Sequence, residues 1–244
     1  MGKLIVVTSG KGGVGKSTVS TGIASAFCSM NKSVLLVDAD EGLRCLDLML
    51  SISDKLVFDM GDILSGNVDI DKAVNKVEME KSLYLLAAPS TPCSINGEAF
   101  GSLMFELQEK YDYVIVDCPA GIDDKYYVCL PKGSEFLIVT NCDAVSVRSA
   151  FEITSLLSTL GFVNKRLLLN RFDKKTAKQF KVLVDDIIDN SGSRLLAVIP
   201  EDSQVKVAAA KGKALKLGRA AMALYRTAAR IEGSDVPLPK LNKI

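Results

Sequence analysis

The 244-residue sequence contains no histidine. That removes imidazole general-base chemistry and most zinc sites from consideration. The six cysteines (Cys28, Cys45, Cys93, Cys118, Cys129 and Cys142) form no C-x-x-C pair and follow no regular spacing, so neither a disulfide framework nor a thiolate metal motif is written into the chain. Several lie in apolar stretches, where cysteine behaves as a small hydrophobe. No apolar run reaches the length of a membrane span, and there is no internal repeat or low-complexity block. Met1 leads straight into an apolar run, so no secretory leader is expected. The expectation is a cytoplasmic, reduced protein. Charge of one sign is not in excess overall, with a formal net of +1. Its distribution is uneven: from about residue 160 onward basic residues outnumber acidic ones by nine, and the first part is acidic by eight. A basic C-terminal region serves DNA, an anionic lipid surface, or simple solubility.

What is present suits one large α/β domain, expected over residues 1–232, with 48% apolar residues to build its core. Apolar runs bounded by turn residues recur at Leu4–Val7, Ser33–Val37, Leu83–Ala87, Tyr113–Val116, Glu135–Thr140, Arg166–Leu169 and Arg194–Ile199. Helical periodicity fills the intervals at Asn96–Lys110, Ala144–Leu160, Thr176–Asp189 and Leu215–Ile231. Strands alternating with helices predict a mostly parallel central sheet flanked by helices on both faces. The tail 233–244, with Pro237 and Pro239, cannot stay helical and is expected to be loosely ordered.

Between the first apolar run and a helical pattern lies Ser9-Gly10-Lys11-Gly12-Gly13-Val14-Gly15-Lys16-Ser17-Thr18. Gly10, Gly15, Lys16 and Ser17 fit G-x-x-x-x-G-K-[ST], and strand, glycine loop, helix is the context a phosphate loop requires. Glycines let backbone N–H groups turn inward around phosphate oxygens, and the following helix N-terminus adds partial positive charge. Lys16 is placed to reach the β- and γ-phosphates, and Ser17 offers its hydroxyl to Mg²⁺. The chain therefore binds a nucleoside triphosphate.

Other candidates lie at the ends of later strands, where ligands bind in parallel sheets. Val37-Asp38-Ala39-Asp40 closes the second strand: Asp38 is read as support for the Mg²⁺ shell and Asp40 as the group that orients the attacking water. Tyr113–Val116 ends in Asp117, a second metal candidate of Walker B type, and Gly121 follows with a backbone N–H expected to approach the γ-phosphate. Base recognition is expected from Asn170-Arg171, since Asn can pair with the N6/N7 edge of adenine, and from the backbone of Pro200-Glu201-Asp202.

The loop carries a second lysine, and Lys11-Gly12-Gly13-Val14-Gly15-Lys16-Ser17-Thr18 resembles the deviant Walker A motif of the MinD/ParA ATPases. The stretches Asp40-Glu41-Gly42-Leu43-Arg44-Cys45-Leu46-Asp47 and Asp117-Cys118-Pro119-Ala120-Gly121-Ile122 resemble the two switch segments of the MinD branch. Cys45 stands where Asn is usual, and Asn141-Cys142-Asp143 where Asn-Pro-Glu is common. The resemblance runs from Lys3 to about Glu232. It implies ATP and Mg²⁺ as cofactors and a homodimer when ATP is bound, in which Lys11 crosses to the partner's phosphates. It also implies catalytic roles for Lys11, Lys16 and Asp40, with MinC-like or MinE-like protein partners. Two functions stay open under it. One is a switch at the inner face of the cell membrane that places the division site. The other is a ParA-like ATPase acting on DNA or a protein cargo. The short, proline-interrupted tail is a poor lipid helix, so membrane contact is the weaker implication.

Overall fold

The first strand, β1 (Lys3–Ser9), shows why the chain forms a sheet covered on both sides. Leu4 and Val6 enter one core, Ile5 and Val7 the other, and all four are buried. Side chains alternate across a strand, so an unbroken apolar run demands cover on both faces. A computed structural model of the chain describes residues 1–41, 43–90, 96–121, 127–179, 184–213 and 215–239. Gly42, Cys93, Ile122 and the end of the tail, 240–244, lie outside them.

After β1 come α1 (Lys16–Ser29), β2 (Val34–Asp38), α2 (Leu46–Met49), a 3-10 turn at Ser53–Lys55, α3 (Met60–Leu64), α4 (Ile70–Ala73), β3 (Val74–Lys76) and β4 (Leu83–Leu86). Next are α5 (Gly97–Lys110), β5 (Tyr113–Ala120), β6 (Glu135–Thr140), α6 (Ala144–Thr159) and β7 (Lys165–Phe172). The last are α7 (Lys174–Gln179), α8 (Val184–Ser191), β8 (Arg194–Pro200), α9 (Ser203–Ala210) and α10 (Arg219–Ile231).

The strands form one eight-stranded sheet in the order β3-β4-β2-β5-β1-β6-β7-β8. Among the described residues only the β3–β4 pair is antiparallel. This is the mostly parallel α/β architecture expected. On one face α5, α6 and α8 bury Phe100, Leu107, Ile153, Leu157 and Ile187. On the other, α1 and α10 bury Ile23, Phe27, Leu224 and Ile231. Phe27 stacks on Tyr113 with ring centroids 3.8 Å apart. Each such side chain contributes roughly 1.5–3 kcal/mol through burial.

The structure differs from the sequence expectation at short or interrupted elements. The last helix begins at Arg219, not Leu215, because Gly218 takes φ 103°. Leu217 therefore sits outside the helix, 77% exposed, and does not join Leu224, Ala228 and Ile231 on the packed face. The helix expected over Thr176–Asp189 is described as α7 and α8, with residues 180–183 outside the described set. In the tail, residues 233–239 carry neither helix nor strand, and Arg230 donates to the carbonyls of Val236 and Pro237 at 2.7 Å each.

Candidate active site

β1 lies mid-sheet, paired with β5 on one side and β6 on the other, so the loop after it opens at the sheet's central crevice. Gly13 and Gly15 have φ of 77° and 97°, a region closed to most side chains. A Cβ at Gly13 would touch nothing within 4 Å, so the concavity there is open. Gly10 and Gly15 are also required by packing. A Cβ at Gly10 would lie 2.6 Å from the Ser149 carbonyl of α6, and one at Gly15 would lie 2.4 Å from Asn170 Nδ2. Val14 is buried and pins the loop to the core, and Lys16 is buried at the start of α1.

Asp38 and Asp117 are register partners at the ends of β2 and β5, and both are buried. The Ser17 hydroxyl bonds to Asp117, and Ser20 Oγ donates to Asp117 Oδ1 at 2.8 Å. Burial pushes the Asp117 carboxyl up to about 7; the field of Asp38 adds to this, and Ser17, Ser20 and Lys16 oppose it. Burial likewise raises Asp38 to about 6, opposed by backbone N–H groups of Asp40, Leu46 and Cys45. Asp40 follows at the mouth, where its Oδ1 accepts the Leu43 N–H at 3.2 Å. Arg44 holds the same stretch from outside, with Nε 3.2 Å from Asp47 and Nη1 3.8 Å from Asp59.

Two expected features appear in altered form. The Gly121 N–H donates to the Ser9 carbonyl at 3.0 Å, because β5 still pairs with β1 at Ser9 and Ala120, beyond a shift in register after Val7. In this conformation it is not free for a phosphate, and the left-handed Gly121 (φ 123°) is where the chain turns away. Lys11 Nζ pairs with Asp143 Oδ1 of the same chain at 3.0 Å. Asp143 also caps α6, accepting from Ser146 N at 3.0 Å and Ser146 Oγ at 2.6 Å.

A cleft beside the loop brings together Thr18, Asn170, Arg171, Pro200, Glu201 and Asp202. The sequence-predicted base-site residues therefore meet in space, beside Thr18 of the phosphate loop. Asn170 is buried and donates Nδ2 to the Val14 carbonyl at 2.7 Å, so it also supports the phosphate loop. Asp202 spends its carboxylate on the backbone, accepting from Gln204 N at 3.0 Å and Ala220 N at 3.1 Å.

The groups around Ser17 fit Mg²⁺: a hydroxyl and two carboxylates are hard oxygen donors, and two buried acids invite a cation. Sequence reasoning missed Ser20, the Cys45 thiol, which lies 3.4 Å from Ser17 Oγ, and Asp143. Ser20 was findable, being one helical turn beyond Ser17 on the same face. Asp143 lies three residues beyond the end of β6, at the start of α6.

The sequence matches the family described as the CobQ/CobB/MinD/ParA nucleotide binding domain over residues 5–215. It is 36% identical to the septum site-determining protein MinD of Synechocystis sp., across 97% of this chain and 92% of that protein. The fold superposes on the MinD cell division protein of Aquifex aeolicus with a TM-score of 0.87 and 32% identity, covering 98% of this chain and 100% of that one. Against the MinC:MinD cell division protein complex of the same organism the TM-score is 0.88 at 33% identity, with 98% of each chain covered. The phosphate loop with its early Lys11, the paired acids at the ends of β2 and β5, and these matches agree: the chain belongs to the MinD/ParA family of nucleotide-binding ATPases, on its MinD branch.

Proposed function

We propose that this chain is an ATP-driven switch for placing the cell-division site, hydrolysing ATP to ADP and phosphate and changing partners with its nucleotide state. The observation that carries the reading is a phosphate loop whose Ser17 hydroxyl bonds the buried Asp117, the register partner of the buried Asp38, on a loop that also carries a second lysine, Lys11. Phosphoryl transfer needs positioning and charge neutralisation more than covalent help. Lys16 supplies fixed positive charge from the start of α1. Ser17 would hold Mg²⁺, with water-mediated support from Asp38 and Asp117, and an ion held there would supply positive charge to phosphate oxygens. Asp40 orients the attacking water. Gly10, Gly12, Gly13, Val14, Gly15 and Thr18 line the phosphate path, and Gly121 joins it once its bond to Ser9 opens. Asn170, Arg171, Pro200, Glu201 and Asp202 receive the adenine.

Lys11 acts in trans. Within one copy it is held by Asp143, so it has to leave that pair to reach a partner's phosphates, and turnover by a lone copy is slow. The ATP-bound form is a homodimer. A MinC-like protein docks on that form, by analogy with the Aquifex complex, and a MinE-like protein stimulates hydrolysis. Among the described residues no helix is long and apolar enough to cross a membrane. Membrane contact, where it occurs, is taken to be peripheral.

Replacing Lys11 by Ala tests the reading. The variant is expected to bind ATP within about threefold of the parent, yet to stay monomeric on ATP in sedimentation and to lose partner-stimulated turnover. Dimers of the variant on ATP would sink the trans role. ATP-dependent DNA binding that falls steeply with salt, without lipid recruitment, would favour the ParA-like reading instead.

A further inference from the structure

Asp38 is wholly buried, and its carboxylate grips both ends of the stretch 40–46. Its Oδ1 accepts the Asp40 N–H at 3.0 Å, and its Oδ2 accepts the N–H groups of Cys45 and Leu46 at 3.2 Å each. Asp40 is the water-positioning candidate. Cys45 places its thiol 3.4 Å from Oγ of Ser17. One carboxylate thus fixes the backbone under Asp40 and the backbone that carries a side chain onto Ser17. Hydrogen bonds to a charged acceptor are roughly twice as strong as neutral ones, so this grip is a strong restraint on Asp40, Cys45 and Leu46. Arg44 restrains the same residues only from the outer side, through its partly exposed guanidinium.

We propose that Asp38 is a positioning residue, a clasp that holds Asp40 in place for the water and Cys45 against Ser17, in addition to any support it lends the metal. The part concerning the water rests on the proposed ATPase mechanism; the clasp itself does not. A carboxylate has about four acceptor positions, so three N–H bonds leave room for a metal-bound water, and the two roles are compatible. The clasp makes a distinct claim: without it the phosphate loop stays intact while the stretch 40–46 loosens. The native thiol of Cys45 then serves as a reporter inside that stretch.

The test is timed alkylation of metal-free, nucleotide-free protein with N-ethylmaleimide, read peptide by peptide by mass spectrometry. Asp38→Asn keeps the side-chain shape but replaces one acceptor oxygen by an NH₂ that cannot accept. Cys45 of D38N is expected to react at least about fivefold faster than in the parent, while Cys129 and Cys142 keep their rates; loss of the Asp38 charge alone also favours the Cys45 thiolate, so the charge-retaining D38E has to show a rise as well for the clasp to stand. Binding of a fluorescent ATP analogue in EDTA is expected to stay within about threefold. Unchanged Cys45 reactivity together with lost hydrolysis would show that Asp38 acts through the metal alone and overturn the proposal. Asp38→Glu supplies the conservative comparison. It retains the charge but displaces the oxygens by a methylene, so a clasp predicts faster Cys45 labelling and a purely metal-directed role does not.

If D38N fails to fold, every cysteine will react together, buried Cys28 and Cys118 included. Amide hydrogen exchange on the parent then decides. Protection of the Asp40, Cys45 and Leu46 N–H groups by at least about tenfold over an open chain supports the clasp, and free exchange at all three removes it. Because both measurements use nucleotide-free protein, a parent that fails to hydrolyse ATP would count against the function alone.

Discussion

Lys11 Nζ and Asp143 Oδ1 lie 3.0 Å apart, joining the phosphate loop to the first residue before α6 across 132 positions of sequence. Both side chains are more than a third exposed, so the pair itself is worth no more than about 1 kcal/mol. Its importance lies in what it occupies. While Lys11 rests on its own Asp143 it is unavailable to a second copy. Asp143→Asn keeps an acceptor for the α6 cap and removes the charge. The expected outcome is little change in melting temperature and a stronger ATP-dependent dimer, by about twofold to fivefold in sedimentation equilibrium. A weaker dimer would mean that Asp143 serves the interface in some other way.

Asp40→Ala protein is expected to bind Mg-ATP without turning it over, because water positioning is lost while the phosphate loop and metal ligands remain. Sedimented with anionic liposomes, it separates the two biological readings. ATP-selective pelleting supports a division-site switch that works at a membrane. A dimer that stays in the supernatant moves DNA or a soluble cargo ahead.

Asn170 stands between two roles that its alanine variant distinguishes. Losing the Nδ2 bond leaves the buried Val14 carbonyl without that partner, at a cost of about 1–3 kcal/mol, and loosens the loop around Gly15. If loop support dominates, ATP and GTP affinities fall together. If base reading dominates, ATP affinity falls by about tenfold or more and GTP affinity barely moves. Competition binding with both nucleotides gives the answer directly.

The paired acids predict how stability responds to pH. Burial raises Asp38 to about 6 and Asp117 to about 7, above the ~3.9 of an unfolded chain. Between those values the folded protein keeps protons that the unfolded chain has released. Stability from these groups is therefore full below about pH 4 and is lost as pH rises toward 7. Asp117→Asn cannot ionise, so relative to the parent it should gain up to about 4 kcal/mol between pH 4 and pH 8 in metal-free denaturation curves. Adding Mg-ADP should narrow that gap above pH 7, since a cation favours the ionised acids.

Much of this was legible locally. The strand–glycine–helix sequence around Gly10–Ser17 declares its own geometry, and acids at the ends of apolar strands must emerge at one edge of a parallel sheet. That edge was enough to group Ser17, Asp38, Asp117, Asn170 and Pro200 before any coordinates. Distant contacts were not legible. Nothing in a local pattern links Lys11 to Asp143, or places the Cys45 thiol on Ser17. The start of α10 escaped because periodicity ran on through Leu217, and only the backbone angle of Gly218 ends it. The four-residue α2 and α4 and the three-residue β3 are too short to show a period at all.

The position of β1 in the sheet also sets an order in time. Its pairing partners are Tyr113–Ala120 and Glu135–Thr140, more than a hundred residues further along the chain. On a ribosome adding about 5–20 residues per second, the phosphate loop waits on the order of ten seconds before its strand has neighbours. Asn170, which holds the Val14 carbonyl of the loop, arrives later still. A nascent chain therefore carries the nucleotide motif long before it can hold a nucleotide, and during that interval the apolar β1 is a segment for chaperones to shield.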